Sequence, residues 1–249
     1  MEENADDVLI QVAEAYRSFE SYSDVGHMET LWQPGTDKER LSKLSFSTYF
    51  KRPNFFRFEW CDYSNEPRLP DRVNIIWSDG KHFYTKYCFN DKPNRVKDLS
   101  LMVGGAAGVS SGTAPAIAIL LTDQIGGHKL TNLKAPGYVG SEVVEGEECH
   151  HLNHSFDGTE IWVSKARSIV LRIDKDYVIE AGSSARKMKN DRFRSFGWFM
   201  LWLVNSAIEL TRKNRSENLH VSSKTTYRDV ITNANIPDEI FSLAGPNVS

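Results

Sequence analysis

An α+β fold built on a curved antiparallel β-sheet is the architecture this sequence predicts. Three observations lead there. Apolar and polar residues alternate with period two in several short runs. Hairpin turns separate those runs, with none of the regular strand–helix alternation of a doubly wound sheet. Aromatic residues make up 11% of the chain, a load that favours strands and large apolar contacts.

The first segment reads as a helix. Val8, Val12, Ala15 and Phe19 recur at helical spacing, Leu9, Ala13 and Tyr16 widen the stripe, and Asp6 or Asp7 is the expected N-cap. The period then changes. Leu44, Phe46, Thr48 and Phe50 alternate with polar neighbours, and after Pro53 so do Phe56, Phe58 and Trp60. Another strand runs through Val73, Ile75 and Trp77, turns at Asp79-Gly80, and returns through Phe83, Thr85 and Tyr87.

The middle of the chain is apolar but rich in glycine and alanine from Leu99 to Val109. Thr113-Ala114-Pro115 then opens a second apolar run to Leu121, because threonine before a proline-led apolar stretch is a helix start. Strands resume near Tyr138. The runs Glu142–Val144, Cys149–Phe156, Glu160–Ser164 and Ser168–Asp174 form a meander, with turns at Glu145-Gly146 and Asp157-Gly158. Arg186–Arg215 reads as helix, Leu219–Val230 as strand, and Asn235-Ile236-Pro237 as a closing turn.

The 249 residues contain no repeat and no proline- or serine-rich linker, so one domain spanning 1–249 is expected, with the 186–215 segment as a longer helical insertion. A net charge of −3 does not advertise nucleic acid as a partner. No uninterrupted apolar stretch approaches the ~18 residues a spanning helix needs. Cys61, Cys88 and Cys149 are too few and too scattered for a disulfide scaffold. At most one bridge, such as Cys61–Cys88, can form. The acidic start, Glu2-Glu3-Asn4-Ala5-Asp6-Asp7, lacks the pattern of a secretory signal. It reads either as a cytoplasmic start or as a mature chain whose signal has been removed.

Several motifs invite chemistry. Gly108-Val109-Ser110-Ser111-Gly112 matches the G-x-S-x-G nucleophile elbow, with Asp123, Asp157 or Asp174 and His150 or His220 as nominal partners of Ser110. The surrounding chain lacks the parallel βαβ units from which such an elbow grows, and a small-residue helix–loop–helix explains the same letters. The glycines of this stretch offer neither G-x-G-x-x-G nor Gly-Lys-Ser/Thr, so no nucleotide site is implied. In Cys149-His150-His151-Leu152-Asn153-His154, His150 and His154 share a strand face about 13 Å apart. Cys149 and His151 are closer, at about 6.6 Å, but still need a third ligand from elsewhere. No metal or other cofactor is expected.

The most uneven segment is Arg186–Arg215, which carries a net charge of +6 around the apolar run Phe196–Val204. A helix that is apolar on every side is buried on both faces, covers a ligand, or touches lipid. The first 24 residues set Arg17 against seven carboxylates and could neutralise this basic segment.

The stretch Tyr138–Leu152, followed by Thr159-Glu160-Ile161-Trp162-Val163-Ser164, resembles the LolA/LolB-like superfamily of bacterial periplasmic lipoprotein carriers, in particular its branch of predicted periplasmic proteins. Ala15–Tyr22 is similar to that superfamily's first helix, and Phe50–Arg57 to its RP-x-x-x-R strand junction. Trp77–Lys81 is similar to its DGK hairpin, and Ile236–Phe241 to its closing IP-x-x-F. The resemblance implies a half-barrel with helices on its concave face, a periplasmic location, and no catalytic centre. It also implies a non-enzymatic binder of lipid or lipoprotein acyl chains, and a monomer is expected. A protein-interaction or stress-sensing module is the alternative, and a serine hydrolase through Ser110 the second. Phe46, Phe58, Trp60, Trp77, Trp198 and Trp202 are the expected cavity residues. Arg192 and Arg194 are the expected head-group contacts, and 186–215 the segment expected to touch a membrane surface.

Overall fold

The computed structural model describes residues 4–63, 73–122, 136–154, 158–179 and 218–243. The first helix, α1 (Ala5–Ser18), is capped by Asn4, whose side chain accepts the Asp6 N–H; Asp6 and Asp7 instead fill its acidic first turn. Val8, Leu9, Val12 and Tyr16 form its buried stripe.

Six strands follow before the next helix: β1 (Ser21–Trp32), β2 (Arg40–Lys51), β3 (Phe55–Asp62), β4 (Asn74–Asp79), β5 (Phe83–Lys86) and β6 (Asn94–Val96). Helices α2 (Leu99–Ala107) and α3 (Thr113–Leu121) come next. Then come β7 (Gly137–Val144), β8 (Glu147–His154), β9 (Thr159–Ser164), β10 (Val170–Ile179) and β11 (Leu219–Thr232), and a 3-10 turn at Asp238–Phe241.

The strands form one 11-stranded, curved and unclosed antiparallel sheet in the order β6-β5-β4-β3-β2-β1-β11-β10-β9-β8-β7. Two meanders are therefore joined along one seam, where β1 pairs antiparallel with β11 from Tyr22↔Thr232 to Trp32↔Val221. Hairpin chemistry sets the registers. At the β7–β8 turn Glu145 and Gly146 both adopt positive φ, 49° and 81°, the left-handed pair a two-residue turn requires. At β4–β5, the Asp79 carboxylate accepts the N–H groups of Lys81 and His82 while Gly80 takes φ 87°.

Strand β1 escapes a reading of the sequence by period alone. Asp24 and Gly26 interrupt its apolar alternation, yet it lies at the centre of the sheet. Gly26 is there for space. A Cβ at this position would stand 2.3 Å from Phe46 Cζ and 2.5 Å from the Thr226 carbonyl oxygen. The Phe46 ring crosses above it from β2 to meet Tyr227 of β11 at a centroid distance of 5.6 Å.

Helices α1, α2 and α3 pack with one face of the sheet in a single apolar core. Phe46, Phe58, Trp60, Ile76, Leu152, Ile161 and Tyr227 belong to that core together with Leu9, Met102 and Ile117. No helix among the described residues is long and apolar enough to cross a membrane. The Arg186–Arg215 segment and the Asp157-Gly158 turn's first residue lie outside the described residues. The cysteines are free, with Cys61 and Cys149 buried and Cys88 exposed.

The opposite face is covered at β3 and β4 by the C-terminal strap. Asn233 and Ala234 hydrogen-bond to Glu20 and Ser21, and Lys51 pairs with Asp238. Phe241 packs 5.2 Å from Phe55, and Arg57 donates to the Ser242 carbonyl. Arg57 and Glu59 form an ion pair beneath it, at 0% and 1% exposure.

Gly26→Ala is expected to destabilise the protein by about 2 kcal/mol or more, since backbone as well as ring must move. Urea unfolding of the variant against wild type measures it; an unchanged midpoint contradicts the close-approach role of Gly26.

Candidate functional site

On the helix-bearing face a row of aromatic rings crosses the sheet. Tyr227 meets Phe46, and Phe46 stacks on Phe58 at 5.5 Å. Phe58 contacts Trp60 at 5.6 Å, Trp60 meets Tyr87 at 6.1 Å, and Tyr87 stacks on Phe89 at 5.3 Å. The row spans β11, β2 and β3, where strand alternation holds its members to one side, and continues through Tyr87 and Phe89 just past the end of β5.

The α2–α3 hairpin lies over this row. Every residue of α3 from Thr113 to Leu121 is buried. From Leu99 to Thr122 the hairpin holds no charged residue. Gly104, Gly105, Ala106 and Ala107 in α2, with Ala114, Ala116 and Ala118 in α3, give it a thin cross-section. The two helices are joined by Ser111 and Gly112 at φ 50° and 86°, with the Gly112 N–H returning to the Ala107 carbonyl, a Schellman-type stop. Among the described residues one side-chain hydrogen bond fixes the hairpin to the row: Trp60 Nε1 donates to the Val109 carbonyl at 2.8 Å.

Of the expected cavity residues, Phe46, Phe58 and Trp60 come together in this row, each at most 3% exposed. Trp77 does not join them. It pairs in register with Arg57, which alternates with Phe56 and Phe58, so it stands on the opposite face, stacked on Tyr84 at 5.0 Å. Trp198, Trp202, Arg192 and Arg194 lie outside the described residues.

Behind the row sits a polar cluster that the sequence did not announce. Asp24 on β1 is 3% exposed and accepts a hydrogen bond from Tyr22 Oη at 2.7 Å. Tyr16 from α1 lies 5.9 Å from Tyr22 between ring centroids, and its hydroxyl accepts the Val170 N–H. Thr48 is the register partner of Asp24 on β2. Burial pushes the Asp24 carboxyl up to about 7 against the hydrogen bonds from Tyr22 and Thr48. The same burial, reinforced by the nearby Asp24 charge, raises Tyr16, Tyr22 and Tyr227 well above the ordinary phenol value.

Ser110 is not an elbow nucleophile in this arrangement. It follows a helix instead of a strand and is fully buried, and its Oγ accepts the Ala114 N–H at the start of α3. Its nominal partners are engaged elsewhere: Asp174 with Arg172, His150 with Tyr138 Oη, His220 with Asp176. Asp123 and Asp157 lie outside the described residues. His151 stacks on Trp162 at 4.3 Å, with Arg172 over the same indole at 4.1 Å and Glu142 and Glu160 3.3 and 3.6 Å from its ring nitrogens. Burial raises the Cys149 thiol to about 11, which keeps it protonated. Among the described residues no three metal-binding side chains converge.

The sequence profile of the DUF2092 family, described as predicted periplasmic protein, matches residues 5–185, from the first helix through β10. The chain belongs to the DUF2092 family. This agrees with the periplasmic branch that the Tyr138–Leu152 segment resembles. No curated protein matches the sequence. Among solved structures, this DUF2092 chain is similar to LprF from Mycobacterium bovis, at 11% identity, 94% coverage of each chain and a TM-score of 0.43. It is also similar to a LolA superfamily protein from Nitrosomonas europaea, at 13% identity, with 96% of this chain and 98% of that one covered and a TM-score of 0.34. A putative outer membrane lipoprotein-sorting protein domain from Vibrio parahaemolyticus shows 9% identity over 96% of this chain and 97% of that one, with a TM-score of 0.37.

A raised carboxyl has a definite sign in stability. The unfolded Asp24 ionises near 3.8 and the folded one near 7, so its contribution is full below about pH 4 and is lost as pH rises through 7. Asp24→Asn is expected to flatten the pH dependence of unfolding free energy between pH 4 and 8 by up to about 1.4 kcal/mol per pH unit. The variant becomes the more stable protein at pH 8. Parallel wild-type and variant curves in urea contradict this.

Proposed function

We propose that this DUF2092 chain is a non-enzymatic carrier that accepts an acyl chain or similar lipid group between its curved sheet and the α2–α3 hairpin. One observation carries the reading: a continuous aromatic row is covered by two small-residue helices that bring no charge and one side-chain hydrogen bond. Apolar contact is non-directional and roughly proportional to area. Displacing such a cover costs mainly contact area, and an acyl chain lying on the same rings restores it. A helix anchored by ion pairs or interlocked large side chains would not yield as cheaply.

The family description as predicted periplasmic protein fits a carrier of material that water excludes. Asp24, neutral at mildly acidic pH and hydrogen-bonded to Tyr22, offers a polar end to the apolar path. Trp198 and Trp202, with Arg192 and Arg194, remain proposed cargo contacts on the strength of the sequence alone. The carrier acts as a monomer in this reading, without catalysis at Ser110.

Native mass spectrometry of protein purified without detergent is expected to show a lipid-sized adduct. A brominated fatty acid, whose heavy atoms quench indoles on contact, is expected to quench tryptophan emission. Trp60→Phe should remove much of that quenching, whereas Trp77→Phe on the opposite face should leave it. Protein that carries no adduct and is not quenched, or equal loss from both variants, rules the carrier reading out.

A further inference from the structure

At the seam end of the aromatic row two buried polar atoms stand without a partner. Asp24 lies between Tyr22 and Gly26 on the helix-bearing face of β1, directly across from Thr48 of β2. Its Oδ2 accepts from Tyr22 Oη, while its Oδ1 finds no hydrogen-bond partner among the described residues. Tyr227 of β11 is the register partner of Gly26 on the same face, and its ring opens the row by meeting Phe46. The Tyr227 hydroxyl is likewise unpartnered, on a residue only 1% exposed. Asp24 and Gly26 are separated by about 7 Å along the strand. The Asp24 charge is near enough to help raise the Tyr227 phenol. Buried polar atoms are rarely left so, because each forfeits its hydration without return.

No cation answers Asp24. Among the described residues it forms no ion pair, and the two arginines that bear on the neighbouring Tyr16 are committed elsewhere. Arg52 donates to the carbonyls of Tyr16, Arg17 and Phe19. Arg167 pairs with Glu147 and donates to the Val230 carbonyl. The two orphan atoms therefore offer one acceptor, Asp24 Oδ1, and one donor, the Tyr227 O–H. A protonated Asp24 can donate instead, so the complement must be able both to give and to accept a hydrogen bond.

We infer that Asp24 and Tyr227 form a polar subsite for a hydroxyl group on the cargo, so that this chain selects an uncharged, hydroxyl-bearing lipid. The inference rests on the carrier reading and narrows it. The cargo O–H donates to Asp24 Oδ1, its oxygen accepts from Tyr227 Oη, and its chain continues over Phe46 and Phe58. Other head groups match this pair poorly. A phosphate or carboxylate brings acceptors alone and sets a second anion against Asp24. An ammonium brings three donors to one free acceptor and nothing for the Tyr227 O–H. An ester or ether accepts from Tyr227 but leaves Asp24 Oδ1 unanswered. A hydroxyl satisfies both atoms at once, in either state of Asp24.

The test is displacement of phenylnaphthylamine, a probe that fluoresces in apolar sites, from the full chain at pH 8, where decanoate is ionised. Decanol is compared with decyl methyl ether, decanoate and decylamine, and methyl β-hydroxydecanoate with methyl decanoate. Wild type is expected to prefer a hydroxylated chain to its plain counterpart about tenfold. A preference in the first set marks a head-group hydroxyl, and in the second a hydroxyl on the acyl chain. Tyr227→Phe should reduce the preference to within about twofold and leave the affinity for the ether and the plain ester unchanged. Its urea midpoint should not fall, since the hydroxyl it removes holds nothing in place. Equal displacement by hydroxylated and plain chains overturns the inference and leaves the carrier reading standing. So does tighter binding of decanoate or decylamine than of decanol, or a preference that survives in Tyr227→Phe. Binding of none of these chains defeats the carrier reading, and this inference with it.

Discussion

The seam between β1 and β11 is the constraint on which the rest of this structure depends. The two meanders are each local in sequence, and only this antiparallel pairing makes them one sheet. Aromatic packing reinforces the backbone ladder there. Phe46 reaches from β2 across β1 to Tyr227 on β11, a path open only because residue 26 has no side chain. The row that continues from Phe46 through Phe58 and Trp60 thus begins at the seam, and the helical cover lies where the row leads it.

Much of the fold was legible in the sequence because hairpins are written locally. Asp79-Gly80 and Glu145-Gly146 announce their turns by tolerance of positive φ, and Thr113-Ala114-Pro115 marks the start of α3, although Thr113 lies inside the helix behind a Gly112 N-cap and Ser110 Oγ, not Thr113, accepts the Ala114 N–H. What stayed hidden was decided by distant residues. β1 is a strand because β2 and β11 flank it, despite a buried aspartate and a glycine that spoil its alternation. The cap of α1 fell to Asn4 instead of Asp6 or Asp7, a shift of a few residues that the acidic run leaves undetermined.

The site was legible in part for a related reason. Alternation separates Phe56, Phe58 and Trp60 from Arg57, Glu59 and Cys61, but it does not say which set faces the helices. In most sheets exposure would tell. Here β3 is buried on both faces, by the hairpin on one and the C-terminal strap on the other, and Trp77 of β4 is buried on the strap side. Asp24 escaped notice because its perturbation comes from burial, which the packing of the folded protein creates and no window of sequence displays. Ser110 shows the converse: a five-residue pattern matched, while the elements around it supply a helix stop and a helix cap.

The strap also ties the ion pair to the seam. Residues 233–243 reach β3 and β4 only by leaving the end of β11, and β11 is placed only when the two meanders have met across a long separation in sequence. Until then Arg57 and Glu59 remain on an open strand face, solvated by water. Closing the strap dries the ion pair and gives Arg57 its last acceptor, the Ser242 carbonyl. A chain whose halves have joined out of register would bring Ser242 to the wrong place and strand a buried charge without that acceptor. The native register of the seam is thereby favoured at a point far from the seam itself, through the hydrogen bonding of one buried guanidinium.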